Sequence, residues 1–487
     1  MNKRVLLCLP HYTGPNHAAF VGQAWLLASL VEAGLEVTVF DDDVAEFSKG
    51  QNPSLTGRDL LRECLQSWDP CVVGITATTP TYPAALELVS RIRGCYDGPV
   101  IMGGHHPSAT ADTVLQLHED INGIVEGEAD ASFSHVALAL VKGQNTPIAP
   151  GLHWRGISGE IISYPQTAPL DLSLLPLPKR SALFENVPDV LLPHTRERYD
   201  DSFYSKIRAF NRRRVANAQA TRGCVRACSF CSPGTFWKDH TRGTPYRRVR
   251  PAWHLLSEMK ELRDLGYDAV YFDETAFPLS PSPWLGEFSE GMRLLGMKWG
   301  GAVLAQEIDL TTLPELYCCG LSYLYFGLET PLSHLQRSLG KYLEADRLSS
   351  ILAGAWNAGI QIDLSMIFGL PGETDQDVDR TIEWMLEALP EGNAFFSLAA
   401  LWPGTPWSHS LGLEGRHWEP KSINQGIYPA AVEWYPASLV SIERFFSNSV
   451  GTYHPAEIPP SRALAIKDKI ISSGFRERFS KFARCAQ

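Results

Sequence analysis

Residues 221–233 read TRGCVRACSFCSP, which sets Cys224, Cys228 and Cys231 within eight positions at the spacing CxxxCxxC. A structural zinc site wants four closed ligands and usually shows two CxxC-like pairs. No second pair follows here, and only His240 offers to complete such a site. A four-iron four-sulfur cluster accounts for the triplet better, because three thiolates on a tight loop hold three irons and leave the fourth open for a ligand. An open iron is a place for chemistry.

The triplet stands at the head of a strand and helix series. Apolar runs at AQATRGC (218–224), DAVYFDE (268–274), WGGAVLAQ (299–306), LSYLYFGLET (321–330), IQIDLSMIFGLPGE (360–373) and NAFFSLAALWPGT (393–405) alternate with amphipathic stretches such as HLLSEMKELRDLG (254–266) and DQDVDRTIEWMLEAL (375–389). Six such units predict a partial parallel (β/α)6 barrel over 216–407. The cysteines then follow the first strand, at the end where barrel chemistry is done.

A second series precedes it. RVLLCLP, LEVTVFD, CVVGITAT, PVIMGG and INGIVEGE read as buried strands. Between the first two, His17 to Ala33 puts Phe20, Ala24, Leu27 and Val31 on one helical face and stops at Gly34. The alternation predicts a doubly wound, flavodoxin-like α/β domain over 1–145, whose ligand lies beyond the carboxyl ends of the strands. Those ends carry PHYTG (10–14), TATTPTY (76–82), GGHHPSA (103–109) and EGEAD (126–130), which suit a large polar ligand. Residues 146–215, with the spaced prolines of DLSLLPLPKR (171–180), read as a linker. Residues 408–487 read as a mainly helical C-terminal region ending in an amphipathic helix from Ala463 to Cys485.

Composition narrows the class. The chain has 487 residues, 44% hydrophobic, and a net charge of -11, which argues against a nucleic-acid binder. The apolar run before Pro10 is too short for a secretory signal, and no stretch approaches the roughly 20 apolar residues of a membrane span. A cytoplasmic monomer is expected, with Cys8, Cys64, Cys71, Cys95, Cys318, Cys319 and Cys485 as core or incidental residues. One basic concentration surrounds the triplet: Arg212, Arg213, Arg214, Arg222, Arg226, Arg242, Arg247 and Arg248. These read either as a solvated face or as a docking face for an acidic electron donor of the flavodoxin or ferredoxin type, or as a clamp for an anionic substrate.

Cys224, Cys228, Phe230 and Cys231 match the CxxxCxΦC signature of the radical S-adenosylmethionine (radical SAM) enzymes, which this region resembles. YFDE (271–274), FGLET (326–330), FGLPGET (368–374) and WPGTP (402–406) follow in the order of that family's cofactor contacts. The resemblance implies that the open iron chelates the amino and carboxylate groups of SAM, and that reduction releases a 5′-deoxyadenosyl radical. It implies SAM contacts at Asp273, Glu274, Gln306, Glu329, Gly369 and Pro371. Gln306 stands where related enzymes carry arginine.

A doubly wound domain before such a barrel resembles the cobalamin-binding branch of the family, over about 410 residues of the chain. Candidate cobalamin contacts are His11, Gly14, Thr78, Thr79, Tyr82, Gly103, Gly104, His105, Ser108, Glu126 and Gly127. Other cobalamin domains carry DxHxxG after the first strand, with the His on cobalt; here LPHYTG has Leu9 in place of the aspartate. His11 therefore reads first as a polar loop residue beside the corrin and second as a ligand.

The implied activity is a C-methyltransferase acting on an unactivated carbon of a small molecule or peptide. The alternative within the branch is a cyclisation or rearrangement without net methyl transfer. A methylthiotransferase would need further clustered cysteines, and a non-catalytic sensor would not need so many SAM-like positions. Trp402, Trp407, Trp418, Tyr428, Trp434 and Tyr435 read as core between barrel and C-terminal region, or as walls of the substrate cavity.

Overall fold

Runs of β-branched and aliphatic residues that leave no polar face form strands only where both sides are covered. The computed structural model describes residues 2–11, 20–181 except 168, 207–237 except 212, 246–388, 393–399 and 402–410, with isolated positions between 187 and 192, at 412 and between 465 and 473. In it, β1 (Arg4–Leu9), β2 (Glu36–Asp41), β3 (Val72–Thr76), β4 (Val100–Gly103) and β5 (Gly123–Val125) lie parallel in the order β2-β1-β3-β4-β5. That is the flavodoxin-like order, and its switch point falls between β1 and β3. Val5, Leu6, Val72 and Val73 are completely buried between the two helical layers.

The sheet continues past the expected boundary at 145. β6 (Leu152–Arg155) and β7 (Ile161–Ser163) add an antiparallel hairpin at its edge, so the expected linker begins inside the first sheet. Gly156 and Gly159 close its turn, with the Gly156 N–H donating to the Glu160 carbonyl at 2.8 Å. Two strands of four and three residues give little periodicity to read.

The second sheet is built from β8 (Val215–Ala218), β11 (Ala269–Phe277), β12 (Lys298–Val303), β13 (Leu321–Glu329), β14 (Gln361–Phe368) and β15 (Asn393–Leu398), parallel and in chain order. The first strand ends earlier than AQATRGC suggests. Residues Thr221–Gly223 form a separate strand, β9, that pairs antiparallel with β10 (Arg247–Val249). At the amino end of the barrel, Ile207 and Phe210 pack on Tyr271 and Tyr323, while Tyr323 donates to Asp363 at 2.9 Å. The other end is left for the site. The expected helix from Ala463 to Cys485 and the aromatics Trp418, Tyr428, Trp434 and Tyr435 lie outside the described residues, apart from isolated positions in the helix.

Charge, rather than apolar surface, marks the seam between the two halves. Arg222 of β9 donates to Asp130 at 2.6 and 3.0 Å and to Glu128 at 2.9 Å, and its guanidinium lies 5.3 Å from the Trp25 ring. Burial opposes the charge on Arg222, yet the two carboxylates outweigh it and hold the group firmly protonated. Arg248 also binds Glu128, and Arg250 lies 4.7 Å over Trp25 while donating to Glu258 at 2.6 Å.

These contacts correct the reading of the basic stretch as a free cationic face. Arg222 and Arg248 are buried and Arg247 is paired with Glu307 at 2.9 Å. Arg213 approaches Asp268 at 3.6 Å and Arg214 covers Tyr267 at 4.3 Å. The arginines follow the cysteine loop because the first domain presents carboxylates there. Arg212 and Arg242 lie outside the described residues.

Candidate functional site

Gly223 turns the chain out of β9 into the cysteine loop at φ +90°, and a Cβ there would sit 2.0 Å from the Tyr246 carbonyl oxygen. No side chain fits against that backbone. Gly223→Ala should therefore displace the loop that starts one residue later, costing about 1–3 kcal/mol in backbone strain before the clash is counted. The expected result is protein that still folds but retains less than half of the wild-type iron after anaerobic reconstitution; full iron content would contradict it.

Within the loop the Arg226 N–H donates to Cys224 Sγ at 3.4 Å and the Cys231 N–H to the Cys228 carbonyl at 3.2 Å. Ser229 N–H donates to the Leu339 carbonyl at 3.2 Å, beyond β13. Trp407 N–H donates to the Ser229 carbonyl at 3.0 Å, and its ring packs 5.7 Å from Phe230. The loops that follow β13 and β15 thus hold the cysteine loop in place. All three cysteines are free. Burial pushes the Cys231 thiol up to about 12 and raises Cys228 as well.

Such thiols resist ionisation as bare groups, and metal binding supplies the charge that makes thiolates stable. Among the described residues no set of three side chains is already drawn to metal-ligand spacing, so the fit rests on donor chemistry and on the eight-residue loop. His240, the only candidate for a zinc alternative, lies outside the described residues.

Lys341 is a residue that sequence reasoning missed. It is partly buried and donates to Glu329 at 2.7 Å. Burial alone would lower its pKa, but Glu329 and the neighbouring Cys228 and Cys231 outweigh burial and raise it. Glu329 adopts φ +65°, a left-handed conformation that costs a non-glycine residue energy and concentrates at functional sites. Gly327 makes room for the pair, since a Cβ there would lie 2.0 Å from Glu329 Oε1 and 2.5 Å from Lys341 Nζ.

Val303, Gln306, Gly327 and Lys341 help line a small cleft at the carboxyl ends of β12 and β13. Gln306 donates to the Tyr342 carbonyl at 3.0 Å. Gly369, at φ +77°, donates to Glu373 at 2.5 Å, which closes the turn containing Pro371 after β14. Asp273 is exposed midway along β11, and the Glu274 side chain lies outside the described residues.

On the first domain, the loops after β3, β4 and β5 are tied together. Ala77 N–H donates to the Gly103 carbonyl at 2.8 Å, His106 N–H to the Ala77 carbonyl at 3.3 Å, and Gly127 N–H to Ser108 Oγ at 2.9 Å. Gly104, at φ +97°, admits no Cβ because Ala77 O would stand 2.6 Å away. Gly103 would meet only Val125 O at 3.4 Å, so the edge itself is not filled by protein there. Thr78 is exposed, its N–H donating to Thr81 Oγ1 at 2.9 Å.

Two expected contacts need correction. Tyr82 is completely buried and stacks on His106 at 3.9 Å, and Thr79 is buried 3.2 Å from His106 Nδ1. Their side chains support the loop from behind and do not offer a surface to a ligand. Gly14 lies outside the described residues.

His105 reaches across the seam. Its ring stacks on Phe236 at 4.0 Å, five positions past Cys231, and burial lowers its pKa to about 4. At neutral pH it is a neutral ring on an aromatic face. Glu126 is held by His153, whose Nε2 lies 3.2 Å from it while Nδ1 lies 3.1 Å from Asp112. The Glu126 hydrogen bond, with that of Asp112, outweighs burial and raises the His153 pKa. A raised folded pKa stabilises the fold fully below the unfolded value of about 6.5 and loses that contribution as pH rises through the folded value. His153→Gln should therefore flatten the decline of the urea midpoint between about pH 6 and 8; an unchanged slope would contradict the assignment.

Sequence comparison agrees with this arrangement. A B12 binding domain family model matches residues 18–137 and a radical SAM superfamily model matches residues 219–385. Over 459 residues, 90% of this chain and 91% of the relative, the sequence is 25% identical to an uncharacterised methyltransferase of Pyrococcus horikoshii. It is 23% identical over 512 residues, 99% of this chain and 84% of the relative, to the anaerobic magnesium-protoporphyrin IX monomethyl ester cyclase of Rubrivivax gelatinosus.

The solved structure of TsrM, a radical S-adenosylmethionine methyltransferase from Kitasatospora setae with cobalamin and a 4Fe-4S cluster bound, shares the fold. Its TM-score is 0.64 at 20% identity, over 83% of this chain and 77% of that one. Among the described residues no helix is long and apolar enough to cross a membrane. With a B12-binding sheet and a cysteine-bearing barrel joined in one chain, the protein belongs to the cobalamin-binding branch of the radical SAM superfamily, and its cofactors are a 4Fe-4S cluster, S-adenosylmethionine and cobalamin.

Proposed function

We propose that this protein is a methyltransferase that delivers a methyl group to an unactivated carbon of a small molecule or peptide. The observation that carries the reading is the stack of His105 on Phe236 at 4.0 Å, which ties the loop after β4 to the segment directly following the cysteines. The loops proposed to hold the two cofactors are then in contact with each other. When bound, the cluster supplies the electron that cleaves SAM and the cobalt centre carries a methyl group.

The chain's own residues bind and orient. Cys224, Cys228 and Cys231 hold the cluster. Lys341, charged and held by Glu329, offers an ammonium to the SAM carboxylate. Asp273 and Glu274 receive the SAM amino group, Gln306 lines the same cleft, and the turn at Gly369 and Pro371 brings backbone to the adenine. Thr78, Gly103, Gly104, His105, Ser108, Glu126 and Gly127 form the edge on which cobalamin lies. Buried Arg222 and Trp25 keep the two halves together and water out of the seam.

The electron comes from a flavodoxin- or ferredoxin-type donor that approaches the cysteine loop itself, where Val225 is 49% exposed. The likeness to a cyclase along 99% of the chain favours a second reading, ring formation without net methyl transfer. Incubation of the reduced holoenzyme with methyl-labelled SAM and candidate substrates separates them. Label in the product supports methyl transfer; turnover with 5′-deoxyadenosine formed and no label in the product removes it in favour of cyclisation.

A further inference from the structure

The missing aspartate of the first loop has a counterpart elsewhere in the chain. His11 lies two residues beyond the end of β1, beside the β1/β3 switch point at the carboxyl edge of the first sheet. Its Nδ1 is in contact with Asp43 Oδ1. Asp43 is in the first turn of the helix Asp42–Gln51, which begins immediately after β2 and so starts at the same edge.

Three consecutive aspartates there have three different tasks. Asp41 caps the helix, accepting from the N–H groups of Asp43 at 2.9 Å and Val44 at 3.2 Å. Asp42 accepts from Arg91 at 2.8 and 2.9 Å. Asp43 meets the imidazole. The carboxylate is buried, while the His11 side chain keeps 44% of its surface exposed.

This is the arrangement of a metal-ligating histidine: one ring nitrogen is fixed by a carboxylate, which sets the tautomer and raises the basicity of the other. A surface salt bridge alone would gain little from burying one partner, since exposed pairs contribute at most about 1 kcal/mol. We propose that His11 ligates cobalt through Nε2 on the lower face of the bound corrin, with Asp43 as the residue that positions it. Asp43 does from the helix after β2 what a motif aspartate at the position of Leu9 would do within the loop. The proposal rests on the cobalamin reading of this edge.

The test is electron paramagnetic resonance of the cobalamin-loaded protein reduced to Co(II). An axial nitrogen of natural abundance splits each high-field cobalt line into three, and a nitrogen-15 ligand splits it into two. Protein grown with nitrogen-15 histidine should show doublets. His11→Ala should keep cobalamin bound, as judged by absorbance after gel filtration, and lose the splitting. Asp43→Asn should retain cobalamin with only a fraction of the centres split.

Triplets that persist in the labelled protein would identify the nucleotide base of the cofactor as ligand and overturn the proposal, as would unsplit lines in the wild-type protein. Loss of stability in His11→Ala and Asp43→Asn with unchanged spectra would make the pair purely structural and overturn it too. Protein that retains no cobalamin at all would remove the site reading itself and the proposal with it.

Discussion

Cys228→Ala abolishes iron and sulfide incorporation and, with them, reductive cleavage of SAM. The loop offers no spare ligand, since the other described cysteines lie far from it in sequence, and two thiolates cannot hold a cluster of about four irons. The protein should fold nonetheless. Cys228 is a small buried residue whose loop is fixed by the Ser229, Phe230 and Trp407 contacts, so alanine removes little packing. Expected readouts are an unchanged far-ultraviolet circular dichroism spectrum, iron at background, and no 5′-deoxyadenosine above the level of free iron controls. Cys224→Ala and Cys231→Ala should behave alike. Near-normal iron in any of the three would contradict the assignment.

Asp130→Ala should be the most destabilising single change at the seam. Arg222 is buried, lies 5.3 and 5.5 Å from the Trp25 and Trp237 rings, and donates two hydrogen bonds to Asp130. Removing the partner of a buried charge leaves that charge uncompensated and costs about 3–5 kcal/mol. Glu128 softens the loss, because it binds Arg222 at 2.9 Å as well. A drop in unfolding free energy of at least about 2 kcal/mol in urea is expected, insensitive to added salt because the pair is shielded from solvent. The paired replacement Asp130→Leu with Arg222→Met should cost less than Asp130→Ala alone. A salt-sensitive loss below about 1 kcal/mol would show the pair to be solvated after all.

Much of this architecture could be read from the chain because its signals are local. Buried parallel strands are continuous apolar runs, so RVLLCLP and LSYLYFGLET announce themselves, and a cysteine triplet is visible at a glance. What escaped depends on partners distant in sequence. Lys341 looks like any surface lysine until Glu329, twelve residues earlier, is seen to hold it in the cleft. Asp43 gains meaning only beside His11.

Arg222 and Arg248 look like solvated cations because nothing near them in sequence shows the carboxylates of Glu128 and Asp130. Tyr82 shares the loop chemistry of Thr78 but faces inward, stacked on His106. AQATRGC reads as one strand because small apolar residues run through it, whereas Gly223 and the pairing with Arg247 turn its second half across the barrel mouth.

The central claim is that three cysteines leave one iron for SAM to occupy. The reduced, reconstituted protein should be measured by electron paramagnetic resonance before and after SAM is added, without substrate. The account predicts that the cluster signal changes its g-values on SAM binding, because a new nitrogen and oxygen ligand reaches the open iron. A cluster spectrum that is identical with and without saturating SAM would contradict it.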